Sequence, residues 1–274
     1  MIKLTNRKLI ISGSTIEAYF YNEKSVSYNF EIPESSRQKS KIIVVDDESK
    51  LKKIESRRRS MQRAGSHLRR LINCNVWRWF KENGRAYLPT FVTFTFKEDV
   101  RDIKTANIIF SRFIRHLNYW VFDTKKSFLK YTVVTEFQDK NRHVIHYHVV
   151  FYNLKFVWND TLGEIWEQGG THIQKIGKVD NVGAYVSKYM SKNFEDERLD
   201  GHKRYFSSRG LLHPVVVRDQ KLAEKIIHQI PEKYIARKKD FVSVYHGNVT
   251  YIQFKLSREQ NLSDILPSLP ILLP

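Results

Sequence analysis

Between residues 90 and 192, β-branched and aromatic stretches alternate with amphipathic ones in a single order, and that order restricts the folds open to the chain. Thr90–Phe96 (TFVTFTF) reads as a strand. Within Ile103–Trp120, the residues Ala106, Ile109, Phe110, Phe113, Leu117 and Trp120 recur at helical spacing. Phe128–Phe137 and Val144–Tyr152 read as two strands, and the polar loop Gln138–His143 between them suits an antiparallel hairpin. Asn159 or Asp160 can cap a short helix through Trp166, which Gly169 and Gly170 end. Thr171–Ile176 is a further strand, and Asp180 or Asn181 caps a helix through Lys192. The order β-α-β-β-α-β-α matches a ferredoxin-like split βαβ arrangement with one added helix. The expected class is therefore α+β: an antiparallel sheet with flanking helices.

The flanks read less clearly. Thr15–Tyr21 and Ser25–Ile32, separated by Asn22-Glu23-Lys24, suggest a hairpin. Residues 33–48 are polar around a short apolar run, Ile42–Val45. Leu51, Ile54, Met61, Leu68, Leu71, Ile72 and Val76 then mark a long helix. After residue 195, Leu222–Ala236 has a helical pattern interrupted by Pro231. Phe241–Tyr245 and Val249–Phe254 flank His246-Gly247-Asn248 as a second hairpin, whose pairing with the first stays open. The expected division is an N-terminal extension (1–89), a core (90–195) and a C-terminal extension (196–274).

The single cysteine, Cys74, excludes a disulfide framework and a multi-thiolate zinc knuckle, and reads as a small buried apolar residue. Met1–Ser14 has no long apolar run, and Leu262–Pro274 is too short to span a bilayer and is broken by prolines. A soluble protein of the cytoplasm, with no membrane partner, is the expectation. No G-x-x-x-x-G-K-[ST] occurs, so a nucleotide-driven helicase is not expected in this chain.

Charge points to a partner. The chain has 47 Lys and Arg against 29 Asp and Glu, a formal charge of +18. A balance of that size steers polyanions to the surface. The long helix concentrates it: Arg57, Arg58, Arg59, Arg63, Arg69 and Arg70 lie there, and only Glu55 interrupts before Glu82. A solvated helix face usually mixes signs, so this one reads either as a phosphate-binding surface or as a basic but idle face. Trp77 and Trp79 offer stacking surfaces for unpaired bases, or core packing.

Three segments carry chemistry. In VIHYHVVF (144–151), strand alternation places His146 and His148 on one face, with Ile145, Tyr147 and Val149 on the other. Two adjacent imidazoles are a metal chelate or a half-buried pair. On the preceding strand Thr132, Val134 and Glu136 share a face, so Glu136 stands beside the histidines as a third ligand, or pairs with Arg142. Two imidazoles and one carboxylate leave coordination positions open for a phosphate oxygen. In GAYVSKYMSK (183–192), Tyr185, Lys188, Tyr189 and Lys192 share one helix face beside an apolar stripe of Val182, Val186 and Met190. A lysine one turn away favours the phenolate and can neutralise a phosphate. The bland alternative is packed tyrosines and solvated lysines.

Together the segments resemble the HUH superfamily of single-strand endonucleases, and within it the two-tyrosine initiators of rolling-circle replication from phages and plasmids. FVTFTF (91–96) is similar to the first motif, HYH (146–148) to the paired-histidine motif and YVSKYMSK (185–192) to the nucleophile motif. The tyrosines follow the histidines, as in replication initiators; in conjugative relaxases they come first. KRYFSSRGLLHP (203–214) also looks like this group, less specifically. Tyr147 is an aromatic where the family has a bulky aliphatic.

The resemblance implies an HUH endonuclease fold and a metal-dependent DNA nickase. Glu136, His146 and His148 would hold Mg²⁺ or Mn²⁺. Tyr185 would attack first and form a 5′-phosphotyrosine bond, and Tyr189 would cut the regenerated junction. Lys188 and Lys192 would orient the phenols and counter phosphate charge. Backbone contacts are expected from the arginine helix and from Lys203, Arg204 and Arg209. The expected partners are single-stranded or hairpin origin DNA and a host helicase and polymerase, in a bacterial host. The rivals are a two-tyrosine transposase, a non-catalytic DNA-binding protein and an iron oxygenase, whose facial triad uses the same three ligand types.

Overall fold

The computed structural model describes residues 3–22, 26–28, 47–137, 144–177, 179, 181–192, 198, 202–243 and 246–257; for residues 3–4, 26–28, 47–53 and 190–192 it describes the backbone alone. The chain runs through β1 (Lys3–Thr5), β2 (Arg7–Ser12), β3 (Thr15–Tyr21), β4 (Val26–Tyr28), α1 (Asp47–Asn75), β5 (Thr90–Thr95), α2 (Ile103–Phe122), β6 (Tyr131–Phe137) and β7 (Ile145–Phe151). It continues through α3 (Asn159–Trp166), β8 (Thr171–Lys175), α4 (Val182–Lys192), β9 (Tyr205–Ser207), β10 (Val215–Val217), α5 (Gln220–Gln229), β11 (Ile235–Ser243) and β12 (Gly247–Lys255). This is an α+β architecture with two antiparallel five-stranded sheets and five helices among the described residues. No helix among them is long and apolar enough to cross a membrane.

Contacts gather the chain into two compact units: residues 57–212, and residues 1–56 together with 213–274. The three segments expected from the sequence follow chain order. Contacts instead join the outer strands into one unit and bring residues 57–89 and 196–212 to the central one.

The central unit is a sheet of order β8-β5-β7-β6-β9, antiparallel throughout. Its faces differ because strand residues alternate. One face presents Val92, Phe94, Val133, Ile145, Tyr147, Val149 and Phe151 to α2 and α3, forming the largest apolar cluster. The unusual Tyr147 belongs here: it is fully buried and its hydroxyl donates to Asn107 Oδ1 at 2.7 Å. The other face presents Phe91, Val134, Val150 and Tyr152 to Leu68, Leu71 and Ile72 of α1 and to Val182 and Val186 of α4. Cys74 is buried, as expected.

The helix ends show where local reading succeeded. Asp102 caps α2, its carboxylate accepting from the Thr105 N–H at 2.8 Å. Asn181 caps α4, accepting from the Ala184 N–H at 2.9 Å. At α3 the expectation is corrected: Asn159 is the first helical residue, the cap position is Trp158, and no side chain caps it. Asn159 Oδ1 accepts from the Thr171 hydroxyl at 3.3 Å instead. The helix stops at Glu167, in the left-handed region at φ 58°, before the two glycines.

In the outer unit, β10-β2-β3-β12-β11 form the second sheet, with Ala223 and Ile226 of α5 packed on Leu9, Ile11, Ile16 and Phe254. The expected N-terminal hairpin is corrected. Thr15–Tyr21 pairs with Arg7–Ser12 and with β12, while Val26–Tyr28 pairs with Lys3–Thr5. The tight turn is at Gly13, whose φ of 59° suits glycine, so β2 and β3 are the hairpin. The second hairpin forms as read, β11 with β12, and β12 pairs with β3. The helix read over Leu222–Ala236 ends at Gln229, because Pro231 cannot continue it; Ala236 is already in a strand. The expected loop Gln138–His143, the run Ile42–Val45 and the tail Leu262–Pro274 lie outside the described residues.

Asn118 of α2 is the main polar staple of the central unit. Its amide donates to the carbonyls of Thr124 and Lys126 at 2.9 and 2.7 Å, and its oxygen accepts from the N–H groups of Phe128 and Leu129 at 2.8 and 3.0 Å. Asn118→Ala strands these groups in a buried setting and is expected to lower stability by roughly 2–4 kcal/mol in urea denaturation. Asn118→Asp should not rescue it, since a carboxylate cannot donate to the two carbonyls.

Candidate active site

The site grows from strand register. Glu136 of β6 pairs directly with His146 of β7, which pairs with Thr95 of β5. Two residues along, Val134, His148, Thr93 and His172 form the next row across β6, β7, β5 and β8. The row after that holds Thr132, Val150, Phe91 and Gln174. All three rows project from the face opposite α2, so Glu136, His146 and His148 share one surface, as the alternation required.

Contacts then fix their orientation. His148 is 4% exposed. Its Nδ1 meets the Thr93 hydroxyl at 3.1 Å, and its Nε2 is hydrogen-bonded to Glu136 Oε2. The Phe91 ring lies parallel to the imidazole, with centroids 6.0 Å apart. A hydrogen bond at one ring nitrogen orients the other, the usual support for an imidazole that acts on a neighbour. His146 is half-buried, and its pKa is lowered by burial first, then by His148, with Glu136 pulling the other way. It is therefore held neutral, the form in which imidazole ligates metals.

The tyrosines come to this surface from α4. Tyr189 packs on His148 with ring centroids 4.2 Å apart. Tyr185 and Tyr189 both contact Phe91, at 5.8 and 5.3 Å between centroids. Their hydroxyls are 3.4 Å apart, and the Tyr185 hydroxyl donates to Gln174 Oε1 at 2.8 Å. The two phenols thus share a setting without being equivalent. Tyr189 has its pKa pushed up to about 12, chiefly by burial and then by the Tyr185 hydrogen bond, the Tyr185 charge and Glu136. Lysine is not among those causes, so its phenol is held protonated, not pre-ionised. Lys188 is exposed on the same helix. The side chain of Lys192 lies outside the described residues, as does Arg142, the alternative partner considered for Glu136.

Could this surface hold a cation? Among the described residues no three His, Cys, Asp or Glu side chains are gathered closely enough to close on one. The donor set nevertheless fits in kind: a carboxylate oxygen and an imidazole Nε2 point at the same spot, with a second, neutral imidazole on the neighbouring row. An ion there would replace the direct Glu136–His148 contact.

Two parts of the site escaped the sequence reading. Phe91 and Gln174 are the aromatic floor and the phenol's acceptor; strand alternation from the buried Phe94 could have put Phe91 on the site face. Gly183 is the other. Its N–H donates to Asn73 Oδ1 at 3.0 Å, and a Cβ there would overlap the Arg69 carbonyl oxygen and the Asn73 side chain. Glycine lets α4 seat closely on α1, which aims the tyrosines.

The expected DNA-binding residues are dispersed around this unit. Arg58, Arg59 and Arg63 are exposed on α1, and Arg57, Arg69 and Arg70 are half-buried. Lys203 and Arg209 are exposed; Arg204 is half-buried, and its carbonyl accepts from the Thr135 N–H at 3.0 Å. Trp79 packs against the α1–α4 cluster, with the Lys130 ammonium 5.3 Å from its ring. Trp77 is half-buried with φ 66°.

Residues 89–194 match a family model described as a replication-associated protein of the ORF2 type. No curated protein and no solved structure matches the chain. The matched stretch holds every residue of the three rows and both tyrosines, and the match supports a protein of replication initiation.

Helix propensity alone makes Gly183→Ala favourable by about 1 kcal/mol. The close approach to α1 reverses the sign: the variant should show a lower urea midpoint than the parent, and a stabilised variant would refute the seating role.

Proposed function

We propose that the chain is a replication initiator that nicks single-stranded origin DNA through a tyrosine nucleophile and rejoins it, as an HUH-type endonuclease on a ferredoxin-like sheet. One observation carries the reading: the phenols of α4 meet the Glu136, His146 and His148 surface, with Tyr189 packed on His148. Further support comes from the family match over residues 89–194, the strand order of the sheet and the +18 charge.

In this reading Glu136, His146 and His148 would hold Mg²⁺ or Mn²⁺. When bound, such a cation neutralises and polarises a non-bridging phosphate oxygen. The chain's own residues do the rest. Tyr185, held by Gln174, presents its hydroxyl oxygen to the phosphorus. The Tyr185 O–P bond forms as the P–O3′ bond breaks; the phenol gives up its proton, and the departing O3′ becomes a hydroxyl. The product ester is a 5′-phosphotyrosine, whose bond energy is retained for rejoining. Tyr189, beside it and protonated, is placed for the second cut. Lys188 and Lys192 counter phosphate charge, and Thr93 keeps His148 in orientation. The arginines of α1, with Lys203, Arg204 and Arg209, serve as backbone contacts for DNA.

The test mixes protein, Mn²⁺ and tiled single-stranded oligonucleotides from the neighbouring DNA, followed by a denaturing gel. The parent protein should give a covalent adduct. Tyr185→Phe with Tyr189→Phe should give none, and His146→Ala should lower the rate by about 10²-fold or more. Chelation should abolish the adduct, and Mg²⁺ or Mn²⁺ should restore it. An adduct that persists in the double tyrosine variant refutes the nucleophile assignment.

A further inference from the structure

On the opposite face of the central sheet, the C-terminal half of α2, the start of β6 and the turn after β9 enclose a cleft of about 990 Å³. Its lining includes Arg115, His116, Lys125, Lys130, Arg209 and Tyr119, and no carboxylate. Helix α2 itself contains no acidic residue between Ile103 and Phe122. Arg115 and Lys125 are exposed and form no ion pair among the described residues. Like charges concentrated in one concavity repel, and a polyanion relieves that repulsion.

The cleft is braced. Asn118 grips the backbone at Thr124 and Lys126, which fixes the loop that carries Lys125. The Lys130 ammonium donates to the Arg209 carbonyl at 2.8 Å, which ties the turn after β9 to β6. Tyr119, 53% exposed, stands in the lining as an aromatic surface. Cations held on a fixed frame around an aromatic ring match single-stranded nucleic acid, whose phosphates need charge and whose unpaired bases need a stacking plane.

We propose that this cleft binds the backbone of single-stranded DNA away from the scissile phosphate, with Tyr119 stacking on a base. The proposal rests on the nuclease reading for the identity of the polymer. Along β6, Tyr131 at the cleft lies five residues from Glu136 at the tyrosine site, a separation of at least roughly 17 Å. That is about five stacked nucleotides. The cleft would hold the strand at a distance while the phenols act on the cut.

The full chain is titrated with labelled oligothymidylate at several salt concentrations, and anisotropy reports binding. Arg115→Glu with Lys125→Glu should weaken binding about tenfold or more, through lost contacts and added repulsion. The neutral pair Arg115→Gln with Lys125→Gln should reduce the slope of log affinity against log salt by about 1.4, for two lost phosphate contacts. Tyr119→Ala should cost about fivefold or more. All of these positions are exposed, so thermal midpoints should match the parent. Parental affinity and parental salt slope in both charge variants would overturn the proposal. The variant Tyr185→Phe with Tyr189→Phe separates the two readings: it should retain cleft-dependent binding while giving no adduct. If the parent never forms an adduct but the salt slope still depends on Arg115 and Lys125, the nuclease reading fails and the cleft stands.

Discussion

The pairing of β6 with β7 sets Glu136 opposite His146, and every other feature of the site follows from that register. A slip of one residue would turn Glu136 toward α2 and drive Val133 and Phe137 out of the apolar cluster. The register is pinned from the apolar side, where Val133, Ile145, Tyr147 and Val149 are fully buried. The hydrophobic face therefore holds the polar face in place. This is why a buried hydroxyl, Tyr147 on Asn107, is tolerated there: its partner is satisfied and its ring fills the space an aliphatic side chain would leave.

The polar face carries the opposite burden. A carboxylate and two imidazoles are costly to bury unless they are hydrogen-bonded. Glu136, His148 and Thr93 form one such chain, and Phe91 shields it from below. The helix bearing the tyrosines closes on it because Gly183 allows α4 to approach α1 and because Val182 and Val186 bury against the sheet. The same contacts set the phenols' environments apart. Tyr189 is pressed against His148 and held protonated, while Tyr185 faces Gln174. A nucleophile that can first reach a solvent-side phosphate and a second one kept in reserve are the chemical consequence of that asymmetry.

Much of the central unit was legible in the sequence because its signals are local. Alternation in TFVTFTF and VIHYHVVF, spacing in α2 and the Asn181 cap each depend on neighbours within a few residues. The N-terminal hairpin failed because two similar strand runs compete for a partner, and the choice went to the pair linked by the glycine turn and completed by β12, more than two hundred residues away in sequence. Phe91 and Gln174 were missed because their roles exist only once a helix lies over them.

The sequence by itself determined which residues share a face and which chemistry they bring: paired histidines, a carboxylate on the preceding strand, two tyrosines one turn apart, and an excess of positive charge. These properties follow from the periods of strand and helix and from side-chain identity. Only the tertiary structure decided that the phenols meet the imidazoles, that Gly183 sets how closely they approach, that the terminal strands share a sheet, and that α2 backs a braced basic cleft. Those outcomes depend on contacts between elements distant in the chain, and no local pattern encodes such contacts before the core has formed.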